Sequence, residues 1–220
     1  MRNRFDTELE ELSRELIFMG NLCEKAIANT AKALKNGNLE LAKKVIQEDE
    51  EIDRMEKEIE TKCLKLLLQQ QPVARDLRQI SAALKMITDM ERIGDQTADI
   101  AEIMISAGMS EVNGIEPILD MAKEVSLMIH DSVMAYVNKD LELAYKVMTA
   151  DDQVDELFDT IKNEIVEYIK TNQGSNGITT IDMIMITKYL ERIGDHATNI
   201  AEWVEFSITG VHRDSAAVSK

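Results

Sequence analysis

Apolar residues recur at intervals of three and four along almost the whole chain. In the first such segment they occupy positions Phe5, Leu9, Leu12, Leu16, Met19, Cys23 and Ala26. This spacing places them on one face of an α-helix, and no segment shows the sustained alternation that is typical of a β-strand. The pattern therefore predicts a protein built from long helices.

Signals that end a helix are few and widely spaced. They are Gly37-Asn38, Pro72, the segment from Gly108 to Pro117, Asn138-Lys139-Asp140 and the segment from Asn172 to Gly177. Between them, the spacing predicts six helices over residues 4–36, 38–70, 73–107, 116–137, 140–171 and 178–208. Because the connections are short, neighbouring helices are expected to be antiparallel.

The sequence repeats itself. Residues 38–53 read NLELAKKVIQEDEEID and residues 140–155 read DLELAYKVMTADDQVD, while MERIGDQTADIAE at 90–102 matches LERIGDHATNIAE at 190–202. Self-similarity of this kind indicates duplication of a structural unit. We therefore predict an all-α fold of two similar antiparallel three-helix bundles, over residues 1–109 and 115–209. Residues 110–114 would form the linker, and residues 210–220 a loose C-terminal tail.

Composition and charge narrow the possible partners and location. The 220 residues include 41 acidic and 25 basic side chains, which gives a formal net charge of −16. Such a chain is expected to avoid nucleic acid and anionic lipid, and to capture phosphate directly only where a bound metal reverses the local charge. No segment is apolar enough for a signal peptide or a membrane span. Two cysteines, Cys23 and Cys63, lie on apolar stripes and predict buried free thiols in the cytoplasm.

Acidic residues follow the edges of the apolar stripes at four-residue spacing. The third and sixth predicted helices carry Glu91, Asp95 and Asp99, and then Glu191, Asp195 and Asn199. The second and fifth carry Asp49 and Asp53, and then Asp151 and Asp155. The duplication has therefore preserved most of these acids in both halves.

Like charges one turn apart destabilise a helix, and burial beside an apolar stripe increases the cost. Arg92 and Arg192, each adjacent to a glutamate, are expected to point about 100° away from the rows. A multivalent cation would compensate, and carboxylate oxygens without cysteine or ordered histidine suit Mg²⁺, Mn²⁺, Ca²⁺ or oxidised iron. The alternative is a pair of solvated acidic faces on a metal-free scaffold. Gly94 and Gly194 precede the key aspartates and predict a close approach by another helix.

Three features together resemble the PhoU family of bacterial phosphate-transport regulators. They are the paired Glu-Arg-Ile-Gly-Asp motifs, the Asp-x-x-x-Asp spacing before each, and the segment Pro72-Val73-Ala74-Arg75-Asp76-Leu77-Arg78. The likeness extends from about Leu9 to Phe206. It implies two three-helix bundles with multinuclear clusters of iron or, in other members, zinc on Glu91, Asp95 and Asp99 and on Glu191, Asp195 and Asn199. Because Asn199 replaces an acid, the second cluster is expected to be weaker.

The resemblance also implies a role. Members damp phosphate uptake and the phosphate-starvation response, which is a two-component signalling system. The implied partners are the ATPase subunit of the phosphate ABC transporter and a membrane-bound sensor histidine kinase, and the protein is implied to be a cytoplasmic homodimer. Arg75, Asp76 and Arg78 have no copy in the second half, so they are candidates for a partner contact, with a surface ion pair as the alternative.

An enzyme is the competing hypothesis. A di-metal carboxylate enzyme in a helical bundle would use Glu-x-x-His motifs. The residues three before His130, His196 and His212 are leucine, isoleucine and threonine, and the glycine-rich phosphate loop is absent from the sequence. We therefore expect an adaptor and not an enzyme.

Overall fold

The computed structural model describes residues 2–70, 72–109, 115–171 and 177–211. Within these ranges it contains six helices and no strand, which confirms the predicted all-α architecture. The helices are α1 (Arg2–Asn36), α2 (Leu39–Gln70), α3 (Ala74–Ser106), α4 (Glu116–Asn138), α5 (Leu141–Thr171) and α6 (Gly177–Thr209). The predicted linker 110–114 and residues 212–220 of the predicted tail lie outside the described residues, so the exact division into domains stays a prediction.

The connections α1–α2 and α4–α5 use the same backbone turn. Gly37 and Lys139 both adopt the left-handed conformation, with φ of 59° and 55°. The next backbone amide, that of Asn38 or Asp140, then donates to a carbonyl of the preceding helix at 2.9 Å. Glycine adopts this conformation without steric cost, whereas the lysine carries one.

Equivalent side chains also begin α2 and α5. The Asn38 Oδ1 atom accepts a hydrogen bond from the Leu41 amide at 3.0 Å, and the Asp140 Oδ1 atom accepts one from the Leu143 amide at 3.0 Å. Each bond satisfies an amide that has no carbonyl partner in the first turn of its helix. The internal repeat thus includes the capping residues of these two helices.

The two halves meet through α3 and α6. Asn199 donates to Asp89 Oδ1 at 3.2 Å, and the Nε2 atoms of Gln96 and His196 lie 3.1 Å apart. From the first pair to the second, the residue number rises along α3 and falls along α6, so the two helices are antiparallel. Because positions 96 and 196 are equivalent in the repeat, this contact lies near the axis that relates the halves.

Helices α1 and α4 form a second contact between the halves. A Cβ atom on Gly20 would lie 3.0 Å from Val133 Cγ2, and one turn further along α1 Glu24 Oε1 lies 3.1 Å from His130 Nδ1. Helix α2 packs outside on α1 and α3, and α5 packs outside on α4 and α6. The inner four helices therefore join two three-helix bundles, and the acidic rows lie where an outer helix meets an inner one.

Both cysteines lie in the apolar core as free thiols. Burial raises the pKa of Cys23 strongly and that of Cys63 to about 12. Thiols in this environment stay protonated and unreactive, as the apolar stripes predicted. Across the described ranges, no helix combines the length and the apolar character that crossing a membrane requires.

We expect Asn38→Ala and Asp140→Ala each to lower the free energy of unfolding by about 1 kcal/mol, because each removes a helix N-cap. Urea denaturation monitored by circular dichroism measures this change. Gln47→Ala, at an exposed position of α2, is the control and should be neutral or slightly stabilising. Equal effects of the control and the cap variants would contradict the capping role.

Candidate metal centre

Helices α2 and α3 bring three carboxylates together. Asp49 and Asp53 lie one turn apart on α2, Asp95 lies on α3, and one oxygen from each lies within 4.8 Å of the others. All three residues are partly buried. The sequence placed two of them on one helix and the third on another, and the packing of α2 against α3 makes them a single group.

Asp49 has one carboxylate oxygen in an environment that is unfavourable for a charge. Its Oδ1 atom is shielded from solvent and has no hydrogen-bond partner. Burial, followed by the negative charges of Asp53 and Asp95, raises its pKa to about 7. A buried carboxylate oxygen without a donor is costly. The oxygens around it are the ligands that hard cations prefer, so these residues fit the metal that the sequence suggested.

Gly94 allows Asp49 to lie this close to α3. A Cβ atom at Gly94 would lie 2.4 Å from Asp49 Oδ1 and 3.0 Å from Ile52 Cδ1. At the equivalent Gly194, the nearest atom would be Val154 Cγ1 at 3.2 Å, and Asp151 Oδ1 would be 3.7 Å away. The predicted close approach is therefore present in both halves, and it is tighter in the first.

Glu91 and Arg92 border the same group. Burial, and then the charge of Asp95, raises the pKa of Glu91. The Arg92 Nη1 atom lies 2.9 Å from Asp95 Oδ2, and its Nε atom lies 3.5 Å from Glu91 Oε2. The expectation that Arg92 points away from the row was wrong, because its long side chain bends back along the helix. This one arginine offsets part of the negative charge of four acids.

The second half carries a looser version of the group. Burial and the charge of Asp155 raise the pKa of Asp151, while burial and the charge of Glu191 raise that of Asp195 to about 6. Lys188 forms an ion pair with Glu191. The part of the chain that the structure describes holds no second trio of carboxylates as compact as the first. The two predicted sites therefore differ in geometry as well as in charge.

The third members of the rows lie at the contact between the halves. The Asn199 amide donates to Asp89, and His196 Nδ1 lies 2.8 Å from the same oxygen. Burial, and then the charge of Asp99, raises the pKa of Tyr189. Sequence reasoning missed Asp89. The spacing gave no signal for it, because the register of the antiparallel pair decides which residues meet: position 89 faces position 199, and position 99 correspondingly faces position 189.

Arg75 and Arg78 lie in the first turns of α3, beside Lys139 and Ser207. Within the described ranges, neither arginine forms the ion pair with Asp76 that the sequence left open. This cationic group is separate from the carboxylates.

A duplicated six-helix bundle with carboxylates gathered between helices defines the class of this protein. The profile of the PhoU domain matches residues 16–104 and again residues 118–204. The chain therefore belongs to the PhoU family, as the sequence resemblance indicated. Relatives in this family are named as accessory and regulatory proteins, and the family is not one of enzymes.

Similar proteins match over nearly their whole length. A phosphate-specific transport system accessory protein PhoU homolog from Clostridium acetobutylicum is 40% identical over 215 residues, covering 97% of this chain and 98% of the relative. The crystal structure of PhoU from Pseudomonas aeruginosa has a TM-score of 0.87 at 33% identity, covering 94% and 100% of the two chains. That of the phosphate transport system regulatory protein PhoU from Streptococcus pneumoniae has a TM-score of 0.87 at 26% identity, covering 94% and 98%.

The raised pKa of Asp49 predicts how the stability of the metal-free protein depends on pH. The folded state binds this proton more tightly than the unfolded state, so its contribution is fully present below the ordinary value of 3.8 and is lost as the pH rises through about 7. In chelator, urea denaturation should give a lower free energy of unfolding at about pH 8 than at about pH 5, and Asp49→Asn should reduce the difference. Asp6→Asn, at an exposed position of α1, should leave it unchanged. An identical pH dependence of Asp49→Asn and the unsubstituted protein would contradict the assignment.

Proposed function

We propose that this protein is an accessory regulator of phosphate transport. The observation that carries the proposal is the match of two PhoU domains, together with relatives named phosphate-specific transport system accessory proteins that align along nearly the whole chain. In this proposal the protein damps phosphate uptake and the phosphate-starvation response. Its partners are the ATPase subunit of the phosphate ABC transporter and a sensor histidine kinase, and it works in the cytoplasm as a homodimer.

The adaptor role is supported by the form and charge of the molecule. Helices of 23 to 35 residues give long continuous faces, which suit contacts with two proteins better than with a small substrate. The net charge of −16 opposes non-specific association with nucleic acid and anionic membranes. Specific partner proteins would then direct the protein to the transporter.

The carboxylate groups are proposed to bind metal. In the first half Asp49, Asp53 and Asp95 would hold the ion, with Glu91 beside them. Oxygen donors favour oxidised iron, Mn²⁺ or Mg²⁺, whereas zinc more often takes nitrogen or sulfur ligands. The positive charge of the ion would reduce the repulsion between α2 and α3 and hold the outer helix against the inner one.

The second half is proposed to bind metal more weakly. Its candidate ligands are Asp151, Asp155, Glu191 and Asp195. Lys188 already neutralises Glu191, so less negative charge is available to a cation. Asp99 and Asn199 are proposed to act at the contact between the halves and not as metal ligands.

Asp49→Asn should lower the metal content of the purified protein and reduce its thermal stabilisation by added Mn²⁺ or iron. The reason is that the substitution removes the carboxylate whose buried oxygen lacks a partner. Elemental analysis after dialysis, and melting curves with and without metal, measure both effects. Glu50→Gln changes the same net charge at an exposed neighbouring position and should retain the metal. Stoichiometric metal in neither the unsubstituted protein nor Glu50→Gln would favour a metal-free scaffold.

Removal of the gene from its host should raise phosphate uptake and the expression of a phosphate-starvation reporter when phosphate is abundant. Uptake of labelled phosphate measures the first effect, and the unsubstituted gene should restore the control. Complementation with Asp49→Asn and Glu50→Gln then tests whether regulation requires the metal site. Unchanged uptake and reporter expression in the deletion strain would contradict the regulatory role.

A further inference from the structure

A positively charged pocket lies at the end of the molecule where α3 begins. It has a volume of about 300 Å³, and its lining includes Arg75, Arg78, Lys139, Ser207 and Ile208 from three different parts of the chain. Among the described residues, the lining contains no carboxylate. In a protein with 41 acidic and 25 basic residues, three described cations around one pocket are a local reversal of the overall charge.

The cations in this pocket have no partners among the described residues. In particular, the Arg78 Nε atom is buried without a hydrogen-bond acceptor. Gly210, which directly follows α6, packs against this guanidinium group, since a Cβ atom on Gly210 would lie 3.4 Å from Arg78 Nε. A buried guanidinium N–H without an acceptor is costly, so the site lacks an oxygen that a ligand could supply.

Comparison of the two halves shows that the repeat does not require these cations. Lys139 holds a left-handed conformation with φ of 55°, where the other half has Gly37 at φ of 59°. Glycine makes this turn without steric cost, so the turn itself does not explain a lysine. The positions that correspond to Arg75 and Arg78 hold Ser175 and Ile178 in the sequence. The cationic pocket is therefore an addition to one end of a duplicated molecule.

We infer that this pocket binds a phosphate group, as inorganic phosphate or as a small phosphate monoester. Guanidinium groups pair with phosphate oxygens in a planar fork, and the ammonium group of Lys139 adds a point charge. The N-terminus of α3 adds the positive end of its helix dipole. A carboxylate could be neutralised by one arginine, whereas three cations suit a dianion.

Other lining residues, Tyr136 and Ile208, differ from the three cations in what they can offer a ligand. The Tyr136 hydroxyl already donates to the Gln79 carbonyl at 2.9 Å, so Tyr136 and Ile208 provide an apolar wall and not free donors. The pocket volume of about 300 Å³ is on the order of ten times the share of one liquid water, which leaves room for an organic group beside the phosphate.

The charge of the whole chain does not prevent this binding. Charges farther away than about 8–10 Å are largely screened at physiological ionic strength. The nearest charges therefore decide, and the charged side chains that line the pocket among the described residues are positive. The expectation that phosphate needs a bound metal to approach this protein does not apply to this pocket. The inference rests on the pocket alone and is independent of the proposed metal centre and of the role in transport.

Isothermal titration of chelator-treated protein with inorganic phosphate and with glycerol phosphate, at constant ionic strength, tests the inference. Chelation removes any phosphate bound through metal. We expect saturable binding of at least one of the two ligands, and a loss of affinity of at least about tenfold in Arg78→Met. The comparison of the two ligands shows whether the source is the free ion or an ester.

Arg14→Met is the matched control, since Arg14 is an exposed residue of α1 paired with Glu10 at 3.7 Å. It changes the net charge equally and should retain the affinity. Arg75→Met and Lys139→Gly provide further variants if Arg78→Met fails to fold, as judged by circular dichroism; Lys139→Gly also relieves the turn. The inference is overturned by the absence of saturable binding or by unchanged affinity in the folded variants. Equal affinity for sulfate, or a preference for an acidic peptide over both phosphate ligands, would also overturn it.

Discussion

Repulsion among carboxylates opposes the packing of α2 against α3. Asp49, Asp53 and Asp95 bring oxygens within 4.8 Å of one another, although each separately would be better hydrated at the surface. Gly94 permits this arrangement by leaving space for the Asp49 carboxylate. Arg92 reduces the negative charge but does not reach the buried Asp49 oxygen, which has no partner. The packing of the bundle thus buries a carboxylate oxygen of Asp49 without a donor or positive charge from the described residues beside it.

Duplication supplied two copies of this arrangement, and the copies have diverged. The second group is looser, and Lys188 pairs with one of its acids. Asn199 stands where the first half has Asp99, and it donates to Asp89 across the contact between the halves. Arg75 and Arg78 at the start of α3, in the first half, and Lys139 after α4, in the second half, have no basic counterparts at the equivalent positions of the other half. One helical framework therefore holds a cation-attracting group and an anion-attracting pocket at different places.

Much of the fold could be predicted from the sequence because a period of three to four residues specifies a helix directly. The six observed helices begin and end within two residues of the predicted ranges. The rows of acids were also predictable, since residues four apart share a face of a helix. The sequence could not show which oxygens converge, because that depends on the rotation of α2 against α3. The spacing also led to the wrong expectation for Arg92, because its flexible side chain bends back to the row of acids on α3.

Contacts between distant segments were the hardest to predict. The pocket joins the start of α3, the α4–α5 turn and the end of α6, which are far apart in the chain. The repeat does not copy Arg75, Arg78 or Lys139, but nothing in the sequence places Lys139 beside the two arginines. Asp89 was likewise hidden until the antiparallel pairing of α3 and α6 placed it opposite Asn199 and His196.

A crystal structure of the metal-loaded protein, with anomalous scattering measured at the absorption edge of the metal, would locate the bound cation. We predict an anomalous peak between Asp49, Asp53 and Asp95, with Asp49 Oδ1 among the coordinating atoms. A map without a peak at this position, with the three side chains turned apart into solvent, would contradict it.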